Sequence, residues 1–277
     1  MGLASAKEMT SRLKSADIYL TTRGDTEYLN LNIKEEVGVK ADMVNFHTMD
    51  VTDVDSIVEF RNMVNATHGK VDILINNAGQ YYDLSSPLTQ GEQIRKVETT
   101  LNTNYWGMKD VCQAFLPMLT PAARIVNLSS HLGHLSLIPG ENLKNRFGNP
   151  DLTEVELDLL VREYQEHSMV LNVDYEAAGW PVCAYTVSKV AVNAYTRILQ
   201  RQMEELNKEG VVVNALHPGS KHSKIAQLSP LTAADAAKAV VSVALLADPC
   251  QRPKGQFIWH DLQIVDWDRG SLKGMWA

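Results

Sequence analysis

Short apolar runs alternate with helical stretches along most of this 277-residue chain, and that alternation restricts the fold more than any single residue does. Residues 18–22, 43–49, 71–75, 125–128, 211–216 and 255–259 have the length and apolar, β-branched content of strands. The runs at 71–75, 125–128 and 211–216 read as strands buried on both faces. Helical patterns lie between them. Residues 4–13 open the chain, and 53–67 set Val54, Ile57, Val58, Phe60 and Met63 at helical spacing. A further helix runs through about residues 112–119, a long one begins at Cys183 and reaches about Gly210, and 233–247 is the last. Strands alternating with helices form right-handed βαβ units. The expected fold is therefore a doubly wound parallel α/β sheet, a three-layer sandwich, with every strand's C-terminal end along one edge where ligands bind. We expect one domain over residues 1–277. Residues 131–180 are too many for a βα loop and contain a capped helix from Asp151 to about His167, so they read as a helical insertion.

Composition excludes some partners. Hydrophobic residues make up 45% of the chain, enough for a large core, and the net charge of −7 offers no basic face to nucleic acid or an anionic membrane. The three cysteines, Cys112, Cys183 and Cys250, form no C-x-x-C pair, which points to a reducing compartment. No apolar run approaches the ~20 residues of a membrane span, and no signal-peptide core is visible, so a soluble cytoplasmic protein is expected. His131 and His134 lack metal-ligand spacing, and no G-x-S-x-G frames Ser129-Ser130-His131, so neither a metal centre nor a serine hydrolase is expected.

The chemistry concentrates in Tyr185-Thr186-Val187-Ser188-Lys189, at the start of the long helix. Residues four apart share a helix face. A free tyrosine, with a pKa near ~10, is a poor acid at neutral pH. An ammonium about 4 Å away is worth up to ~4 kcal/mol at intermediate dielectric, before desolvation is subtracted. That predicts a lowered pKa for Tyr185 and a role as proton donor.

Other strand ends supply company for this pair. Asn76-Asn77-Ala78-Gly79 follows the third strand, Asn127-Leu128-Ser129-Ser130 ends the fourth, and His217-Pro218-Gly219 follows the fifth. Thr103-Asn104-Tyr105-Trp106-Gly107 lies between the third and fourth. Together these elements resemble the short-chain dehydrogenase/reductase superfamily over nearly the whole chain. The separation of Ser130 and Tyr185 by 55 positions, with Gly179-Trp180-Pro181 before the helix, resembles its carbonyl reductase (NADPH) branch. The resemblance implies NADPH-dependent reduction of ketones, aldehydes or quinones by a monomer, with a small-molecule carbonyl substrate. It implies Asn104, Ser130, Tyr185 and Lys189 as the catalytic set: Tyr185 protonates the alkoxide, Ser130 positions the carbonyl oxygen, Lys189 lowers the tyrosine pKa and reaches the nicotinamide ribose, and Asn104 holds a relaying water. It places cofactor contacts at Gly2, Arg23, Met49, Asp50, Asn76, Ala78, Gly79, Tyr185, Lys189, Pro218, Gly219 and Ser223. Arg23, at the end of the first strand, can grip a 2′-phosphate bidentately, which favours NADP over NAD.

Two departures qualify the resemblance. Gly2-Leu3-Ala4 aligns with the end of the family's glycine-rich turn, so the chain is expected to begin inside that motif and to lack its first, central strand. That predicts unpaired neighbouring strands and weakened cofactor binding. It leaves a second reading, a catalytically silent truncated member acting as a binding or regulatory protein. Ser220 stands where the branch's best-known members place a tryptophan, so substrate preference does not transfer.

Overall fold

Strand pairing divides the sheet in two. The structure is a computed structural model, and it describes residues 1–24, 38–82, 89–170, 174–208, 210–219, 231–246 and 253–268. Helix α1 (Gly2–Arg12) leads to strand β1 (Ile18–Thr22), which pairs in parallel with β2 (Val44–Thr48) and forms a two-stranded sheet. Helix α2 (Val54–Thr67) follows, started by the Asp53 carboxylate, which accepts from the Asp55 amide. Strand β3 (Val71–Asn76) begins the second sheet. After it come α3 (Gln90–Leu101), a single π-helical turn at Asn102–Gly107 and α4 (Met108–Phe115). Strand β4 (Leu119–Leu128), helices α5 (Glu141–Phe147), α6 (Glu154–Ser168) and α7 (Ala184–Glu205), and strand β5 (Val212–His217) build the centre. Helix α8 (Ala233–Ala244) and strands β6 (Phe257–Trp259) and β7 (Ile264–Val265) complete the described residues.

The second sheet has the order β3-β4-β5-β6-β7, parallel except for β7, whose antiparallel pairing the alternation did not announce. Side chains alternate between two helical layers. Ile125 and Val213 pack beneath α7 with Leu101, Tyr105 and Leu199. Val126, Leu128 and Leu216 face α8 and Met9 of α1. This is the expected three-layer sandwich. No helix among the described residues is long and apolar enough to cross a membrane.

One expectation fails at β3. Its residues up to Ile75 are at most half-buried, with Asp72 exposed, whereas all six residues of β5 are buried. β3 is the terminal strand of its sheet, and no described strand pairs with its outer edge or with the outer edge of β1. What joins the two sheets is side-chain packing: Tyr19 of β1 and Val71 and Leu74 of β3 all pack on the cluster of Met49, Phe60, Val64 and Phe115.

Between β4 and α7 the stretch at 131–180 carries two helices. Helix α6 begins with a capping box in which Thr153 and Glu156 bond each other's amides, and α5 precedes it unannounced. Trp180 is buried against Phe147 and Tyr164, with ring centroids 6.1 and 5.3 Å away. Lys109 of α4, itself buried, meets Glu154 at 2.9 Å and Asp158 at 2.5 Å, which fastens α6 to the helix across from it.

Candidate active site

Strand β4 delivers Ser130 two residues past its end, where the chain turns sharply. The Ser130 hydroxyl accepts from the Leu132 amide at 3.2 Å, and the turn then lies directly on α7. Gly133 makes that contact possible. A Cβ there would sit 2.8 Å from the Lys189 carbonyl and 2.9 Å from Asn193 Nδ2, whose N–H donates to the Gly133 carbonyl at 2.9 Å. Backbone laid on backbone in this way brings Ser130 toward Tyr185, close enough for its hydroxyl to favour ionisation of the phenol. Neither Gly133 nor Asn193 was singled out from sequence. Their signal was a glycine three residues past the serine and an asparagine one turn past the lysine.

Tyr185 does not have the lowered pKa expected of it. Burial pushes the phenol upward, opposed by the hydrogen bond from Ser130, while the nearby Cys183 and Tyr81 add to the rise. Lys189 accounts for the difference. Its side chain is almost wholly buried, its ammonium donates to the Leu128 carbonyl at 2.7 Å, and burial lowers its pKa to about 8. It lies over the Tyr185 ring, 5.5 Å from the centroid, so the pair shares a helix face. The phenol is therefore kept protonated, the state a proton donor requires.

Asn104 sits in the π-helical turn, buried. Its carboxamide clamps the backbone of Gln80, accepting from the Gln80 N–H at 2.7 Å and donating to the Gln80 carbonyl at 2.9 Å. The same amide donates to Ser188 Oγ at 3.0 Å, and Ser188 donates to the Tyr185 carbonyl at 2.8 Å. A carbon added at Gly79 would lie 3.5 Å from Asn104 Oδ1 and 3.7 Å from Lys189 Nζ. Asn104, Ser130, Tyr185 and Lys189 thus converge on one pocket floor beside Gly79.

The remaining expected contacts divide. Ala78 and Gly79 are exposed at the end of β3, where their backbone is open to a ligand. Asn76 is not: its side chain donates inward to Asn127 Oδ1 at 2.8 Å and to Cys112 Sγ at 3.1 Å. Met49 also faces the core, while Asp50 braces its own turn by accepting from the Thr52 amide and hydroxyl at 2.8 Å each. Arg23 is exposed at the end of β1. Pro218 and Gly219 follow β5, and Gly219 has a φ of +88° with Leu231 so close that a side chain would collide. Gly2 opens α1 against both Leu20 of β1 and Asn77 beyond β3, with no acidic residue in the first helical turn. A helix N-terminus so placed suits an anion. Ser220 and Ser223 lie outside the described residues.

Histidines form the wall beyond Ser130. The ring of His131 packs edgewise on His217, centroids 5.2 Å apart, and His217 in turn meets Trp259 at 5.3 Å. Burial, with His131 and His260 adding, lowers the His217 pKa to about 3, so this wall is uncharged at neutral pH. The described residues contain no cluster able to hold a metal ion.

A sequence model of the family described as short chain dehydrogenase matches residues 1–141. Carbonyl reductase (NADPH) 3 of Mus musculus is 31% identical over 270 residues, which cover 96% of this chain and 94% of that one. Among solved structures, salutaridine reductase from Papaver somniferum superposes with a TM-score of 0.75 at 27% identity, over 92% of this chain and 95% of its own. Menthone neomenthol reductase from Mentha piperita gives 0.77 at 26%, over 94% and 95%.

Proposed function

This chain belongs to the short chain dehydrogenase family, and from that premise we propose that it is an NADPH-dependent reductase of ketones, aldehydes or quinones. The observation that carries the reading is the buried Lys189 ammonium, 5.5 Å from the Tyr185 ring centre on one helix face, with Gly79 and Asn104 beside it and the Ser130 hydroxyl close enough to act on the Tyr185 phenol. A carbonyl oxygen accepting from both hydroxyls is held in place, and the Tyr185 phenol donates its proton as negative charge grows on that oxygen. The Lys189 ammonium lies over the Tyr185 ring, 5.5 Å from its centre, and Asn104 holds both the Gln80 backbone and the first turn of α7. NADPH, when bound, supplies the hydride. Gly79 and Lys189 would hold its nicotinamide end, the N-terminus of α1 its diphosphate, and Arg23, a guanidinium suited to bidentate contact, its 2′-phosphate. The curated relative in mouse is itself named for NADPH.

Helix α6 of the 131–180 stretch packs on α3, α4 and α7, and the resemblance to the carbonyl reductase branch, where such an insertion covers the dimerisation face, supports a monomer. The unpaired outer edges of β1 and β3 among the described residues favour the second reading, a binding or regulatory protein without activity. A titration decides between them. The 277-residue chain should bind NADPH far more tightly than NADH, sediment as a monomer and oxidise NADPH when given a carbonyl compound. Tyr185→Phe should cut kcat by about 100- to 10,000-fold with little change in NADPH affinity. No binding at millimolar cofactor would overturn the reductase and leave the second reading.

A further inference from the structure

We propose that Tyr81 is a specificity-determining residue of this site, presenting its ring beside Tyr185 so as to favour planar, unsaturated carbonyl compounds over saturated ones. The proposal rests on the reductase reading for where the carbonyl sits. The Tyr81 side chain is 57% exposed, yet its ring stands edge-on to that of Tyr185, with centroids 5.2 Å apart and planes at 85°. Its hydroxyl is close enough to oppose ionisation of the Tyr185 phenol.

This placement is built. The two hydrogen bonds between Asn104 and the Gln80 backbone fix the residue before Tyr81, so the chain enters Tyr81 from a set position beside Tyr185. Its neighbour Tyr82 is drawn elsewhere, with the Lys96 ammonium 5.6 Å from its ring centre. On the other flank, His131 follows Ser130 and is held edgewise by His217. A carbonyl compound held by these hydroxyls would meet the Tyr81 ring beside Tyr185 and the imidazole that follows Ser130, whose pKa burial lowers. A flat conjugated guest can meet both rings in edge-to-face or offset geometry. A saturated guest gains only area. The difference is worth about 3- to 10-fold in affinity.

Acetophenone and butanone are suitable probes. Their dissociation constants would be measured by ligand-observed NMR on the full chain with and without NADPH, alongside kcat/KM for their reduction. In Tyr81→Ala the preference for acetophenone should fall about 3- to 10-fold, and in Tyr81→Phe it should persist. An unchanged preference in Tyr81→Ala, an equal loss in both variants, or no binding of acetophenone overturns the proposal. Tyr81-dependent binding without reduction would support it while ending the reductase reading, because the binding measurement needs no turnover.

Discussion

The two parts of the sheet are built to different standards. In β5 every residue is buried, as are the last six of β4, and Ser130, Tyr185 and Lys189 are anchored on this dry framework. In β1 and β2 no residue is buried, and the groups at their ends, Arg23 and Asp50, meet water. The contrast teaches what each end requires. Proton transfer needs donors fixed in a low dielectric, where each electrostatic contact is stronger. A guanidinium gripping a phosphate works at the surface, because its planar fork supplies the geometry by itself.

The largest expected effect breaks the comparison at its driest point. Lys189 titrates near 8 instead of 10.5 because burial opposes its charge. Below pH 8 both folded and unfolded chains carry the proton, and the destabilisation is complete. Between those two values only the unfolded chain keeps it, so this residue makes stability rise with pH by about 3 kcal/mol. Urea unfolding at pH 7 and pH 10 should show the rise in the wild type and its loss in Lys189→Met. A difference between the two proteins that stays constant with pH would refute the assignment.

A smaller effect compares like with like. Val213→Ala, in the buried β5, should cost about 2 kcal/mol, and Val44→Ala, in the half-buried β2, less than about 1 kcal/mol. Equal losses in thermal or urea unfolding would show that the two sheets are equally well packed. Smallest is Arg23→Ala, which should weaken NADPH binding about 10-fold, leave NADH binding alone and leave the unfolding midpoint where it was. A parallel loss for both cofactors would remove Arg23 from the 2′-phosphate.

Much of this was legible from residues. The order of β1 to β6 and of α1, α2, α4, α6, α7 and α8 followed from periodicity, with ends displaced by a few residues, since fraying and capping are settled by neighbours, whereas α3, α5 and β7 were not read. β4 outran the apolar run because it starts at Leu119, paired with Val71 across an irregularity, before regular pairing begins at Arg124. Asn104, Ser130, Tyr185 and Lys189 were named from their motifs and do meet. Met49 was placed toward a ligand by motif position, yet its side chain faces the core, while Asn76, expected to offer its backbone, holds its side chain inward on Asn127.

What the sequence determined by itself was the alternation, hence the layers and the edge at which the strand ends gather, because period and apolar content are local properties. It also named the residues able to do the chemistry. The tertiary structure alone decided their states and company. Burial raised Tyr185 and lowered Lys189 where proximity predicted the reverse for the tyrosine, since desolvation depends on what the rest of the chain excludes from water. The pairing partners of β1 and β3, the docking of Gly133 on α7 and the ring of Tyr81 against Tyr185 join residues distant in the chain, and only packing can bring those together.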